Sequence, residues 1–163
     1  MREYHPRRSE KEITDKAELN RLLREGKYTV IGMAIDNEPY VVSLSYGYDE
    51  AEGCLYFHCA PVGEKIDYLK ANPEVCATIV EDRGYVKGEC KHVYSSLVIR
   101  GRVDILPSVE EKRHGLQILL KHLENDPDTM LKQYSSDEKS YDAVGVLRLK
   151  ITSISGKKHS VAD

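Results

Sequence analysis

Three strand-like runs packed into about thirty residues constrain this chain most. Tyr28 to Asp36, Pro39 to Tyr48 and Cys54 to His58 are separated only by short polar turns, Asn37-Glu38 and Asp49 to Gly53. Strands joined by connections this short return antiparallel, so the three are expected to form a meander. Within Val42-Ser43-Leu44-Ser45-Tyr46 the side chains alternate in size and polarity with period two. One face of that strand can pack a core while the other presents hydroxyls.

The same reading extends along the chain. Val75 to Val80, Val93 to Leu106 and Ala143 to Ile154 carry the β-branched and apolar residues of further strands, the second expected to bend or bulge near Gly101. Asp15 and Glu18 have capping-box spacing ahead of Leu19, Leu22 and Leu23, and Gly26 ends that helix. Glu64 to Ala71 reads as a second helix, stopped by Asn72-Pro73. Ser108 caps a third, running to about Leu123, and Asn125-Asp126-Pro127-Asp128 opens a short fourth. Glu81 to Lys91 reads as a polar loop, Met1 to Ile13 as an arm and Gly156 to Asp163 as a polar tail. Six strands with short connections predict a mainly β fold: one domain over residues 1–163, an antiparallel barrel, closed or partly closed, with peripheral helices.

Composition narrows the function classes. A net charge of −3 gives the whole chain no footprint for nucleic acid, so no nucleic-acid partner is expected. No apolar run reaches membrane length and the N-terminus has no signal-peptide core, so a cytoplasmic protein without a membrane partner is expected. Cys54, Cys59, Cys76 and Cys90 match no zinc spacing and read as reduced thiols. His114 and His122 lie eight apart without acidic or cysteine partners at helical spacing, so no metal site is expected.

The stretch His58-Cys59-Ala60-Pro61-Val62-Gly63-Glu64-Lys65 is the most informative for chemistry. A strand ends, a small-residue loop follows, and a helix begins with a lysine in its first turn. That cation sits at the positive end of the helix dipole, beside free backbone N–H groups. A phosphate there would relieve both, and Gly63 would let the backbone approach it. The other reading is a solvated lysine whose dipole cost Glu64 offsets. His58, near the core edge, reads as a hydrogen-bonded structural histidine ahead of a ligand or catalytic base. In Tyr94-Ser95-Ser96-Leu97-Val98-Ile99-Arg100-Gly101, Ser95 and Ser96 point to opposite faces, so one meets solvent or a ligand. Arg100 and Arg102 share the Ser96 face.

The order of these motifs carries a resemblance. Pro39 to Ser45, Leu55 to Ala60, Gly63-Glu64-Lys65, Asn72 to Val75, Tyr94 to Gly101 and a final strand ending Gly156-Lys157 follow one another. Together they resemble the pyridoxamine 5′-phosphate oxidase-related flavin-binding split barrels, and within them the branch containing the nitroimidazole-resistance proteins. The match runs from about Arg7 to Lys158.

That resemblance implies a six-stranded antiparallel Greek-key split barrel that dimerises with FMN at the subunit interface. Val42, Ser43, Leu44 and Ser45 would lie along the isoalloxazine ring through their backbone. His58 and Lys65 would approach the ribityl phosphate with the Gly63 backbone nearby. Ser95 and Ser96 would come from the facing strand, with the other subunit open as their source. The flavin would carry hydride or single electrons between a small-molecule donor and an acceptor such as a nitro-aromatic, so no side chain is assigned as catalytic. A non-catalytic flavin-, deazaflavin- or haem-binding protein of the same fold is the alternative, with His58, His92 or His114 as axial ligands. An interaction domain with an empty groove is a third.

Two departures from the oxidases stand out. They carry an Arg-Lys pair where Glu64-Lys65 stands here, and Arg148 and His159 do not form their C-terminal substrate-binding segment.

Overall fold

The computed structural model describes residues 7–134 and 138–160. Its centre is one eight-stranded antiparallel sheet, split rather than closed, with helices outside. In chain order the elements are β1 (Glu12–Ile13), α1 (Lys16–Glu25), β2 (Tyr28–Ile35), β3 (Glu38–Ser45), β4 (Gly47–Asp49) and β5 (Cys54–Cys59). Then follow α2 (Glu64–Ala71), β6 (Glu74–Val86), β7 (Lys91–Ile105), α3 (Val109–Leu123), α4 (Pro127–Tyr134) and β8 (Gly145–His159). The strand path is β3-β2-β6-β7-β8-β5-β4, and β1 adds to β8.

β2 and β3 form a hairpin over the two-residue turn Asp36-Asn37, with Ile35 opposite Glu38 and Asp36 at φ +52°. Short acidic and amide side chains tolerate that left-handed conformation. The turn lies one residue earlier than the spacing predicts.

The expected meander does not form. β3 pairs only with β2, and β5 pairs with β8 and β4. The run from Pro39 to Tyr48 breaks at Tyr46, whose fully buried ring sends a hydroxyl to the Leu23 carbonyl at 2.7 Å. Beyond it Gly47 lies against α3 so closely that a Cβ would stand 2.5 Å from Leu119 Cα. Tyr46 alone separates β3 from β4, the two ends of the strand path, so the chain itself bridges the split.

Three segments taken as irregular are strand; one of them, β1, together with the break at Tyr46 raises six strands to eight. β6 and β7 continue past the barrel as a ribbon, with Val86 opposite Lys91, replacing the expected loop over Glu81 to Lys91. Most of that ribbon is exposed on both faces, so it carries no alternation to read. The expected tail is strand as far as His159, paired with β7. The end of the expected arm, Glu12–Ile13, pairs with Lys157 and Gly156 and buries Ile13. Residues 1–6 and 161–163 of those segments lie outside the described residues. The bulge expected at Gly101 is present as a register shift between Arg100 and Gly101, with Thr152 of β8 as the extra residue.

The barrel interior is filled by Ile31, Met33, Leu55, Phe57, Leu97, Ile99 and Leu149, closed at one end by Leu22 and Leu23 of α1. A second cluster of Cys54, Tyr56, Leu106 and Val146 lies under α3. Ser108 and Glu111 complete a reciprocal capping box at the start of α3, as the spacing predicts.

Candidate functional site

The loop from β5 into α2 builds an open helix end. Gly63 sits at φ +124°, ψ 174°, a conformation that side chains resist, and its carbonyl accepts from Ile66 N at 2.8 Å and Asp67 N at 3.2 Å. No side chain caps α2, so its first amide groups face outward. A Cβ built on Gly63 would meet nothing within 4 Å, which leaves the approach to those amides clear. Lys65 is half-buried in the first turn, close enough to Cys59 for its charge to act on the thiol. Burial pushes that thiol up from its ordinary range, and the Lys65 ammonium opposes the shift without reversing it. Cys59 is therefore a protonated thiol near neutral pH, not a nucleophile.

β3 is an edge strand. Val42 and Leu44 turn inward against the core, while Ser43 and Ser45 are exposed. The residue alternation read from the sequence is present, and one row of backbone N–H and C=O groups is unpaired because β3 has one neighbour. Ser43 belongs to a row across the sheet with Val30, Thr78, Val98 and Ser155. Val41, Val80 and Val98 stand exposed on this outer face, with Tyr28 beside them.

Of the serine pair on β7, Ser96 is the one that reaches the outside. Ser95 is 2% exposed and faces the barrel interior with Leu97 and Ile99. Ser96 lies opposite Val80 and Lys157 and lines a cavity of about 510 Å³.

His58 is exposed on the opposite face of β5 from Cys59. It lines an apolar groove of about 450 Å³ between α3 and α4, with Leu119, Leu123, Met130 and Tyr141, a set that includes neither Gly63 nor Lys65. The structure thus brings Gly63 and Lys65 together and sets His58 in separate surroundings. His92 bonds Asp82 at 2.7 Å, and His114 stands edge-on to Tyr56 near Asp49. Arg102 reaches Glu74. Among the described residues no helix is long and apolar enough to cross a membrane, and no group of three His, Cys, Asp or Glu could hold a metal ion.

Sequence reasoning missed the cations around the Ser96 cavity. Arg7, Arg8, Lys11, Lys91 and Lys157 come from three separate parts of the chain. Only the pairing of β8 with β1 and β7, in segments read as irregular, draws them together.

This geometry has relatives. Residues 15–158 match the family described as pyridoxamine 5′-phosphate oxidase. Among solved structures, a candidate 5-nitroimidazole antibiotic resistance protein from Bacteroides thetaiotaomicron is 29% identical with a TM-score of 0.76, covering 90% of this chain and 85% of its own. An FAD-binding protein from Mesorhizobium loti is 25% identical, TM-score 0.64, covering 90% and 96%. An FAD- and haem-binding protein from Mycobacterium smegmatis shares the fold at 18% identity, TM-score 0.76, covering 92% and 74%. The family match spans most of the chain, and this chain belongs to the pyridoxamine 5′-phosphate oxidase family.

Proposed function

We propose that this chain is an FMN-binding flavoprotein that works as a homodimer and passes electrons to small acceptors such as nitro-aromatic compounds. The observation that carries the reading is the open end of α2, where Gly63 exposes uncapped amides beside Lys65. Amide donors plus one cation at a helix start suit a phosphate monoester. The free edge of β3 offers backbone donors and acceptors to the polar rim of the ring, and Ser43 and Ser45 face the same side. The FAD-binding relative and the relative linked to nitroimidazole resistance support a flavin and a nitro-aromatic acceptor respectively.

In this account the flavin, when bound, supplies hydride and single-electron transfer. The chain binds and orients it: Lys65 and the α2 amides hold the phosphate, and the β3 backbone sets the ring. Burial favours the neutral thiol of Cys59 beside Lys65. The homodimer is supported by the exposed outer face around Val41, Val80 and Val98, which a second copy would cover. His58 lies off this surface as the monomer stands, and its approach to the phosphate remains part of the proposal.

Titration of chromophore-free protein with FMN, followed by reduction with NADH or NADPH and addition of a nitro-aromatic acceptor, tests the reading. Saturable binding with turnover supports it. Binding without turnover leaves a flavin carrier and removes the enzyme.

One observation favours a second reading. The groove beside His58 is apolar and presents one imidazole, the chemistry of a haem site with a single axial histidine. The haem-binding relative supports it. A Soret band that His58→Ala abolishes would select this reading.

A further inference from the structure

The Ser96 cavity is built from three parts of the chain. One side is a set of cross-strand pairs on the outer face of β7 and β8: Tyr94 with His159, Ser96 with Lys157 and Val98 with Ser155. Alternate residues of a strand share a face, so these six side chains stand together, opposite the buried Ser95 and Leu97. The arm ahead of β1 adds Arg7, Arg8 and Lys11, and the ribbon adds Cys90, Lys91 and His92. At about 510 Å³ the cavity has the size of a small-molecule site.

Its charge is one-sided. Among the described residues no carboxylate lines it, although the whole chain carries −3. Two acids of the ribbon are turned onto bases: Glu89 pairs with Lys91 at 3.1 Å and Asp82 with His92 at 2.7 Å. Lys11 donates to His159 Nδ1. The side chains of Arg7, Arg8 and Lys157 have no hydrogen-bond or ion-pair partner among the described residues. Like charges gathered around one concavity repel one another, and a bound anion offsets that repulsion.

We propose that this cavity is a second ligand site, taking a small organic diphosphate such as a nucleoside diphosphate. A phosphate monoester carries close to two negative charges and a diphosphate more, which suits the three unpaired cations Arg7, Arg8 and Lys157. Guanidinium forks match phosphate oxygens two at a time, and Lys157 adds a point charge. Tyr94 and Val98 give the cavity an apolar, partly aromatic wall against which the organic part lies. The ligand also holds the arm: Glu12–Ile13 fixes it to β8 at Lys157 and Gly156, and Arg7 and Arg8 precede that anchor. The site is independent of the flavin reading, because no residue of β3, of α2 or of the loop between β5 and α2 lines the cavity.

Calorimetric titration of the full chain with ADP, AMP and adenosine, without flavin, tests the proposal. ADP should bind saturably, AMP at least about fivefold more weakly and adenosine not at all, because the diphosphate carries the recognition. Arg7→Ala/Arg8→Ala should weaken ADP by at least about tenfold, the scale of losing a charge-assisted hydrogen bond, and Lys157→Ala should weaken it too. Lys121→Ala/Lys150→Ala removes the same charge from exposed lysines outside the cavity and should change ADP affinity by less than about twofold.

An ADP affinity that Arg7→Ala/Arg8→Ala leaves unchanged overturns the proposal. So does an equal loss in Lys121→Ala/Lys150→Ala, since net charge alone would then be responsible. Adenosine binding as tightly as ADP overturns it, because the cations would then read nothing. Repeating the ADP titration at saturating FMN separates the two sites, and an affinity within about twofold of the flavin-free value is expected. ADP displaced by FMN assigns the cavity to the flavin and overturns the proposal while leaving the flavin reading intact. A chain that binds ADP but no FMN upholds the proposal and overturns the flavin reading alone.

Discussion

His122 donates from Nε2 to the Gly26 carbonyl at 2.6 Å, tying the end of α3 to the turn between α1 and β2. The same histidine lies 5.0 Å from the Tyr46 ring, and its own carbonyl accepts from Lys27. Burial holds the imidazole below its ordinary pKa, the Gly26 bond works against that, and the Lys27 charge adds to it. The unfolded chain therefore takes up this proton near pH 6.5 and the folded chain only at lower pH, so stability is lost as pH falls below about 6.5. His122→Ala should cost about 1 kcal/mol at neutral pH and flatten that acid limb. Urea unfolding between pH 5 and pH 7.5 measures both; an unchanged limb would show that this proton is not linked to folding.

Tyr46 is expected to control the alkaline side. Burial, with a smaller contribution from Tyr48, raises its hydroxyl well above the ordinary phenol range. The unfolded phenol ionises near pH 10 while the folded one does not, so stability is lost as pH rises above about 10. Tyr46→Phe leaves the Leu23 carbonyl without its side-chain donor and should cost about 1–3 kcal/mol at neutral pH. The variant should also lose less stability than the wild type between pH 10 and pH 11.5.

Gly63→Ala separates conformation from crowding. Nothing stands within 4 Å of the added methyl, so any effect comes from φ +124°. Forcing that conformation costs about 1–3 kcal/mol, or shifts the start of α2. FMN affinity should drop with it. Gly53→Ala, also at positive φ and in open space, should lose stability without losing FMN. Melting curves and FMN titrations on both variants make the comparison.

Lys65→Ala should weaken FMN by about 1.5–3 kcal/mol, the scale of a charge-assisted hydrogen bond. The wild-type affinity should fall with added salt more steeply than that of the variant. Equal affinities would remove Lys65 from the phosphate site.

Much of the fold was legible because period-two alternation survives wherever one face is buried. β3 shows it in Val42, Ser43, Leu44 and Ser45, and the helix starts announced themselves at Asp15 and Ser108. The signal failed where burial is not one-sided. The β6–β7 ribbon is largely exposed on both faces, and the end of β8 is polar around Gly156. A Cβ at that glycine would stand 2.9 Å from Ile13 Cβ, which the pairing of β1 with β8 holds in place. Strand order was harder still. The turn at Tyr46 sends the chain from one end of the sheet path to the other, and only tertiary packing against Leu23 and Leu119 sets it.

The proximity of Gly63 and Lys65 at the start of α2 could be read from the sequence because the helix-start argument is local. The Arg7, Arg8 and Lys157 cluster could not, since it depends on pairing between distant segments.

The most direct test of the central claim is the visible absorption spectrum of protein purified without added cofactor, with identification of the released chromophore. A yellow protein that releases FMN is the result expected. A colourless protein that also fails to take up added FMN would contradict the account.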